Sequence, residues 1–549
     1  MTVRFRHRNW AVWALAVVLG ITAAGAWAQL PPILWMTFNN DAGSPSLTNR
    51  GLAHFSGTLY GGAAYSTDLP PGRTTGRSIE LFGGNSDGVS IGNRTELSNL
   101  KSFTVTAWIK PKGFNTEKTW PRIIHVTDSW ILQLNNNTGD ANTNRVAIYF
   151  WNSATLHSNH RFAFGEWKFM AVTFDGTTTA NNLKFYVGDG TNLTLDAVHS
   201  VTQTLGGAGA TYIGYNGSTD RNLNGLIDDL RVYGGFDDAS GVLSSQQIAQ
   251  IMQQMDYGVE NYSWVPSGNL YVAHGPGSNS RVRHYALSGG TATYVQELVT
   301  GINVARGMAR ALDGNLVVAD RDNSRLVKGT NGLAPGSFPV FGSATNINKP
   351  RGVAVRPNSG QVYTAAWEGG YVRWYTTNGV QVGDITGLTN PHGLCFNGEN
   401  ELYVAGGPSP TLTEGWVRRY DWNGSAWVQT WQTANLWQGV DVRVVKGRVY
   451  VATMYQGYGR SKIVCLNRED GSLLGSWFGG PLDVAMLETD PYNNLYLTDF
   501  NNNRLLIHKL DANGVLSDFR VLAVGTEANP IGVVTVIPPP PKGTVISIR

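Results

Sequence analysis

A short apolar pattern returns six times in the second half of the chain: GNLYVA (268–273), GNLVVA (314–319), GQVYTA (360–365), NELYVA (400–405), GRVYVA (447–452) and NNLYLT (493–498). The position held by Leu270, Leu316, Val362, Leu402, Val449 and Leu495 recurs at intervals of 46, 46, 40, 47 and 46 residues. A fixed period of this length marks a supersecondary unit that buries its faces only against its neighbours. A Gly-containing strand lies upstream of the motif in four units: ARGMARAL (305–312), PRGVAVRP (350–357), PHGLCF (391–396) and QGVDVRVV (438–445). A third strand follows, as in SRLVKG, GYVRWYT and GWVRRYDW. Three to four strands in about 45 residues is the size of one propeller blade, and six such units close a ring with few exposed edges. Glycine early in an inner strand suits the crowding near the axis, where the absence of Cβ permits close approach.

Ring closure has more than one solution. NPIGVVTV (529–536) reads as an inner strand that completes the first blade, Tyr262 to Val265 fits the same place, and either opens an incomplete seventh blade with GTVISI (543–548). The expectation is six blades over 261–536. Pro538 to Pro541 forms a stiff spacer within a Pro-rich tail, 537–549.

The first half, 33–255, has a different rhythm. Strand candidates include SFTVTAWIKP (102–111), RVAIYFW (145–151), EWKFMAVTFDG (166–176), NLKFYVGDG (182–190) and GLIDDLRVYGG (225–235). Alternation of Phe103, Val105, Ala107 and Ile109 turns one face to a core and leaves Thr104, Thr106 and Lys110 outside. A two-sheet sandwich follows. The stretch ends in one helix, Leu243 to Met255, with Ser244 and Gln247 at capping-box spacing and Ile248, Ile251 and Met252 at helical intervals.

Composition agrees with this all-β reading. The 549 residues include 66 Gly, 18 Trp and 22 Tyr, but only 15% are charged. The first 28 residues read as a secretory signal peptide: Arg4, Arg6 and Arg8, then an apolar run from Ala11 to Ile21, then Ala26-Trp27-Ala28 before Gln29. Cleavage leaves 39 basic against 39 acidic residues and no membrane span. A chain of zero net charge has no general attraction to phosphate backbones, which argues against nucleic acid as a partner. Cys395 and Cys465 lie in apolar runs and are expected as buried thiols, not as a disulfide framework.

Residues 33–254 resemble a laminin G-like, concanavalin A-like jelly roll. FTVTAWIKP, the Gly165-Glu166-Trp167 turn into MAVTFDG, FYVGDG, and LNGLIDDLRVY followed by the short helix carry the resemblance. The second half resembles an NHL-repeat propeller, with VADRDNSRLV (318–327) and LTDFNNNRLL (497–506) nearest that motif. The other four blades depart from it, with His274, Trp367, Gly406 and Met454 where those two carry Asp320 and Asp499. The fold expected is a jelly-roll β-sandwich plus a six-bladed β-propeller.

The residue before the inner-strand glycine is polar in four repeats: Arg306, Arg351, His392 and Gln438. These positions reach the channel mouth and form the candidate ligand-binding ring, with Asp441 and Asp483 in the corresponding inner strands. The ring holds an anionic or sugar ligand, or the arginines only neutralise carboxylates. Similar propellers include calcium lactonases and zinc lyases. One histidine is too few for zinc, and two aspartates are few for calcium. A channel enzyme would require Arg351, His392 and Asp441 to converge. Asp320 and Asp499 are expected to bond backbone amides in turns.

In the jelly roll, the resemblance implies a structural calcium near Asp41, beside Asn40, and Asp228, next to Asp229. Of Trp108, Trp120, Trp130, Trp151 and Trp167, most are expected in cores, with Trp120 and Trp130 the candidates for sugar stacking. No nucleophile or phosphate-loop motif occurs in a supporting context. The sequence thus reads as an exported, non-enzymatic binding or adhesion protein for an extracellular glycan or a partner protein. Its alternatives are a lactonase-like channel enzyme and a structural cell-surface component.

Overall fold

The computed structural model describes residues 31–537 except 40–43, 54, 85, 115–119, 138, 140, 154, 208, 219–220, 255–262, 276–279, 409–412, 456–459, 481–483, 501, 512–513, 515 and 524–529. The segment expected as a leader, Asp41, Asp483 and the Pro-rich stretch after Ile537 lie outside the described residues.

The first half is a sandwich of two eight-stranded antiparallel sheets. One runs Leu193–His199, Leu183–Gly188, Lys168–Asp175, Ser102–Pro111, Asn224–Gly235, Ser78–Phe82, Ala64–Ser66, with Leu34–Met36 also paired to Asn224–Gly235. The other runs Thr155–Arg161, Arg145–Phe150, Trp130–Leu134, Arg122–Val126, Ala210–Ile213, Gly88–Asn93, Ser56–Tyr60, Ser46–Thr48. Between them lies a core that includes Phe103, Val105, Leu132, Ile148 and Phe174.

Alternation along Ser102–Pro111 is real, but its other face is not solvated. Thr104 and Thr106 are fully buried. A second apolar layer of Trp108, Trp167, Phe169, Tyr186 and Tyr233 covers that face and receives Ile248, Ile251 and Met252 from the helix Ser245–Gln253. The capping box of Ser244 and Gln247 forms as read. Thr104 is satisfied inside, donating to the Gly241 carbonyl at 2.8 Å and accepting from the Leu243 N–H at 2.9 Å. Lys110 alone keeps a wet end, bound to Asp68 at 2.6 Å.

The second half is a closed ring of six blades. The first holds Pro530–Val536, Gly268–His274, Ser280–Ser288 and Thr291–Ile302 in that order. The C-terminal strand is therefore the inner strand of the first blade, which resolves the closure. Thr498 Oγ1 donates to Ile531 O at 3.0 Å and Thr535 Oγ1 to Thr489 O at 2.8 Å, which ties the last blade to it. The inner strands of the other blades are Ala305–Arg310, Pro350–Val355, Pro391–Phe396, Gln438–Val445 and Val484–Thr489. The second blade has three strands and the rest four.

Glycine is required where neighbouring inner strands touch. A Cβ on Gly307 would lie 2.3 Å from Arg351 O, one on Gly352 2.6 Å from His392 O, and one on Gly532 2.3 Å from Arg306 O. The series then slips. A Cβ on Gly393 would meet Asp441 Cα at 2.5 Å and Val440 O at 2.8 Å, so Asp441, not Gly439, stands at the close-approach position of the fifth blade.

The two halves touch. Lys462 binds Asp237 at 2.6 Å and Asp238 at 2.9 Å. Leu52 packs among Leu495, Leu497 and Leu506 of the propeller, and its carbonyl accepts from Arg504.

Candidate functional site

Four side chains expected at the channel mouth project from the starts of inner strands, and three of them meet. Arg351 Nη1 lies 3.0 Å from His392 Nδ1, and Gln438 Nε2 lies 3.1 Å from His392 Nε2. Gln438 also donates to the Gly407 carbonyl at 3.1 Å. Burial, reinforced by Arg351, Arg306 and Arg321, holds the His392 pKa well below the ordinary imidazole range. Arg306 belongs to the same group, its pKa pushed down to about 10 by burial and the nearby Arg321.

Two residues not read as ring members complete the group. Trp367 carries the Arg351 guanidinium at 3.9 Å from its ring centroid and meets His392 edge-on at 6.0 Å. Arg321 lies 5.7 Å from the same indole and pairs with Asp322 at 3.4 Å. Their signal lay in register. Ala305 pairs with Asp320 and Pro350 with Ala366, so Ala366, not Trp367, is the counterpart of Asp320. Arg321 and Trp367 each follow that position, where the chain leaves the repeated strand toward the mouth. Counted the same way from Val449, Thr453 rather than Met454 is the fifth blade's counterpart.

Asp441 does not join the mouth. It is fully buried between the fifth and sixth blades, accepting from Arg443 Nη1 at 3.1 Å and the Leu487 N–H at 2.9 Å, and burial pushes its pKa up to about 6. The convergence of Arg351, His392 and Asp441 required of a channel enzyme is thus absent. Among the described residues no three His, Cys, Asp or Glu side chains are grouped to hold a metal.

Asp320 and Asp499 are clamps within their own turns, and their partners are mainly side chains. Asp320 accepts from Asn323 Nδ2, Arg325 Nε at 2.7 Å and the Asn303 N–H at 2.8 Å. Asp499 accepts from Asn502 Nδ2 at 3.0 Å and Arg504 Nε at 2.6 Å. Both cysteines are free and buried.

In the sandwich, Trp130 is no sugar platform. It is fully buried, stacked on Phe103 at 4.9 Å, with its indole N–H on the Leu97 carbonyl. Trp120 is half-buried, 6.0 Å from the His157 ring. It borders the outer face of the second sheet, where register aligns Thr155, Tyr149, Ile131, His125, Tyr212, Ser90 and Thr58 in one row across seven strands. Ala147, paired with both His157 and Gln133, and Gln133, paired with Arg122, continue it in a second row. His125, Gln133 and Arg122 are buried, while Tyr149, Tyr212, His157 and Trp120 stay half-exposed, which makes a polar floor with an aromatic rim.

Asp228 does not fit a calcium ion. Arg73 lies 3.6 Å from it, and the adjoining Asp229 is bound by Arg231 at 2.8 Å and by the Trp35 indole at 2.7 Å. Guanidinium groups supply the countercharge that a cation would otherwise bring, and burial raises the Asp228 pKa above the ordinary carboxylate range.

No curated protein matches the chain. Similar solved structures include a nidogen/laminin complex (14% identity, TM-score 0.39, 49% of this chain and 98% of that one). Another is domain 4 of an extracellular GH43 arabinanase from Geobacillus stearothermophilus in complex with arabinotriose (19%, 0.31, 41% and 100%). A third is a gluconolactonase from Xanthomonas campestris (16%, 0.33, 42% and 82%). Residues 82–249 match the family model of the concanavalin A-like lectin/glucanases superfamily, and the sandwich that they largely build stands beside a six-bladed propeller.

Proposed function

We propose that the chain is an exported, non-enzymatic binding protein that captures an extracellular carbohydrate, with the outer face of the second sandwich sheet as its platform and the propeller mouth as a further contact. The observation that supports this is the aromatic rim of Tyr149, Tyr212, His157 and Trp120 around buried His125, Gln133 and Arg122. Sugar C–H faces pack on aromatic rings, and a few fixed polar groups orient the hydroxyls. The match of residues 82–249 to a lectin/glucanase superfamily supports the same reading. Binding of this kind needs no nucleophile, only loops and faces held rigid by sheets.

Titration of the full chain with a panel of neutral oligosaccharides tests it. A binder found in the panel should lose about 10-fold in affinity in Tyr212→Ala, as expected for one aromatic contact, while the far-UV circular dichroism stays unchanged. A panel with no binder would overturn the carbohydrate reading and favour a partner protein or a structural surface role. Export is tested separately, by N-terminal sequencing of secreted protein, which should begin at Gln29.

A further inference from the structure

The propeller mouth is richer in hydrogen-bond donors than in acceptors. Arg306, Arg321 and Arg351 bring three guanidinium groups together, each with five N–H donors and no acceptor. The Nε of each, and Trp367 Nε1, are buried without a hydrogen-bond partner among the described residues. Nearby acceptors are already engaged or distant. Asp322 is shared by Arg321 and Lys349, and Glu368 reaches Arg351 through its field alone. His392 adds to the imbalance, because donors from Arg351 and Gln438 face both ring nitrogens while a neutral imidazole accepts at only one. Stacking on Trp367 covers one face of Arg351 and leaves its N–H edge as the binding element.

Such a group is completed by several acceptor oxygens and a negative charge. The geometry points to an oxyanion site at the propeller mouth, formed by Arg306, Arg321, Arg351 and Trp367, that takes the carboxylate or sulfate group of an acidic carbohydrate. This inference rests on the carbohydrate-binding reading above and names the charged substituent that the mouth recognises. Guanidinium edges meet carboxylate and sulfate oxygens in pairs, and an anion relieves the mutual repulsion of the three arginines.

Four probes test it by isothermal titration of the full chain: a galacturonate trimer, its methyl ester, a sulfated galactose trimer and inorganic sulfate. The acid should bind at least about 10-fold more tightly than the ester, a charge-assisted contact being the difference. The double variant Arg306→Gln/Arg351→Gln should abolish that advantage, and Arg306→Lys, which keeps the charge, should retain part of it. Whichever of the carboxylated and sulfated trimers binds more tightly identifies the substituent. Equal binding of acid and ester together with no preference for the sulfated trimer, or an advantage that survives the double variant, would overturn the site. Tyr212→Ala should weaken the ester, which the sheet platform alone holds, and should leave intact the loss that the double variant causes in the acid. If no trimer binds but inorganic sulfate does so in the wild type and not in the double variant, the carbohydrate reading falls and the oxyanion site stands. If sulfate fails as well, both fall.

Discussion

Asp320 and Asp499 hold equivalent turns with equivalent partners, yet their arginines differ in depth. The Arg504 side chain is 4% exposed, whereas that of Arg325 is 35% exposed. Removing Asp499 strands a buried cation; removing Asp320 leaves one that water can reach. Asp499→Ala should therefore cost about 3–5 kcal/mol in urea unfolding, and Asp320→Ala about 1–2 kcal/mol; equal losses would contradict the assignment. Asp441 predicts a pH effect. Its folded pKa of about 6 lies above the unfolded value of about 3.9, so the folded state holds the proton more tightly. Stability from this group is full below the lower value and falls as pH rises through the higher one. Relative to Asp441→Asn, the wild type should lose about 1–3 kcal/mol between pH 4 and pH 7 in paired urea titrations. Asp228, already matched by arginine, predicts that millimolar calcium leaves the melting temperature unchanged.

At the scale of elements, the repeat was legible because each blade spends the same apolar positions, Leu270 to Leu495, on the same interface. The close approach of inner strands was legible from Gly307, Gly352 and Gly393. It misled at Gly439, because a strand can slip by a residue or two when a side chain such as Asp441 supplies its own partners in the crowded position. Thr104 and Thr106 misled for a related reason. Period-two alternation reports that a strand has two faces, not what lies over the polar one, and here the helix layer lies over it. Four of the ring residues could be read from one recurrent position, and three of them meet. Arg321 and Trp367 escaped because their contribution comes from the end of a different strand. Gly352→Ala should cost about 1–3 kcal/mol, since its Cβ would press on the next inner strand. Gly206→Ala, with nothing within 4 Å of the added carbon, should be near neutral in the same assay.

The whole molecule is one ring and one sandwich, and the ring is locked by its last strand. Deleting residues 530–549 removes the inner strand of the first blade and exposes Gly268–His274 as an edge. Such a chain should lose the cooperative unfolding transition of the propeller in calorimetry while the sandwich transition persists; a propeller that melted unchanged would refute closure by this strand. The same lock imposes an order of events on the newborn chain. The partners of Gly268–His274 on one side are made more than 250 residues later, so during synthesis the sandwich can mature early, but five blades must wait, unclosed and adhesive at one edge, for the final segment to arrive. If the chain is threaded through a translocation pore in extended form, that vulnerable interval falls on the far side, where the ring can be sealed only once Pro530–Val536 has come through.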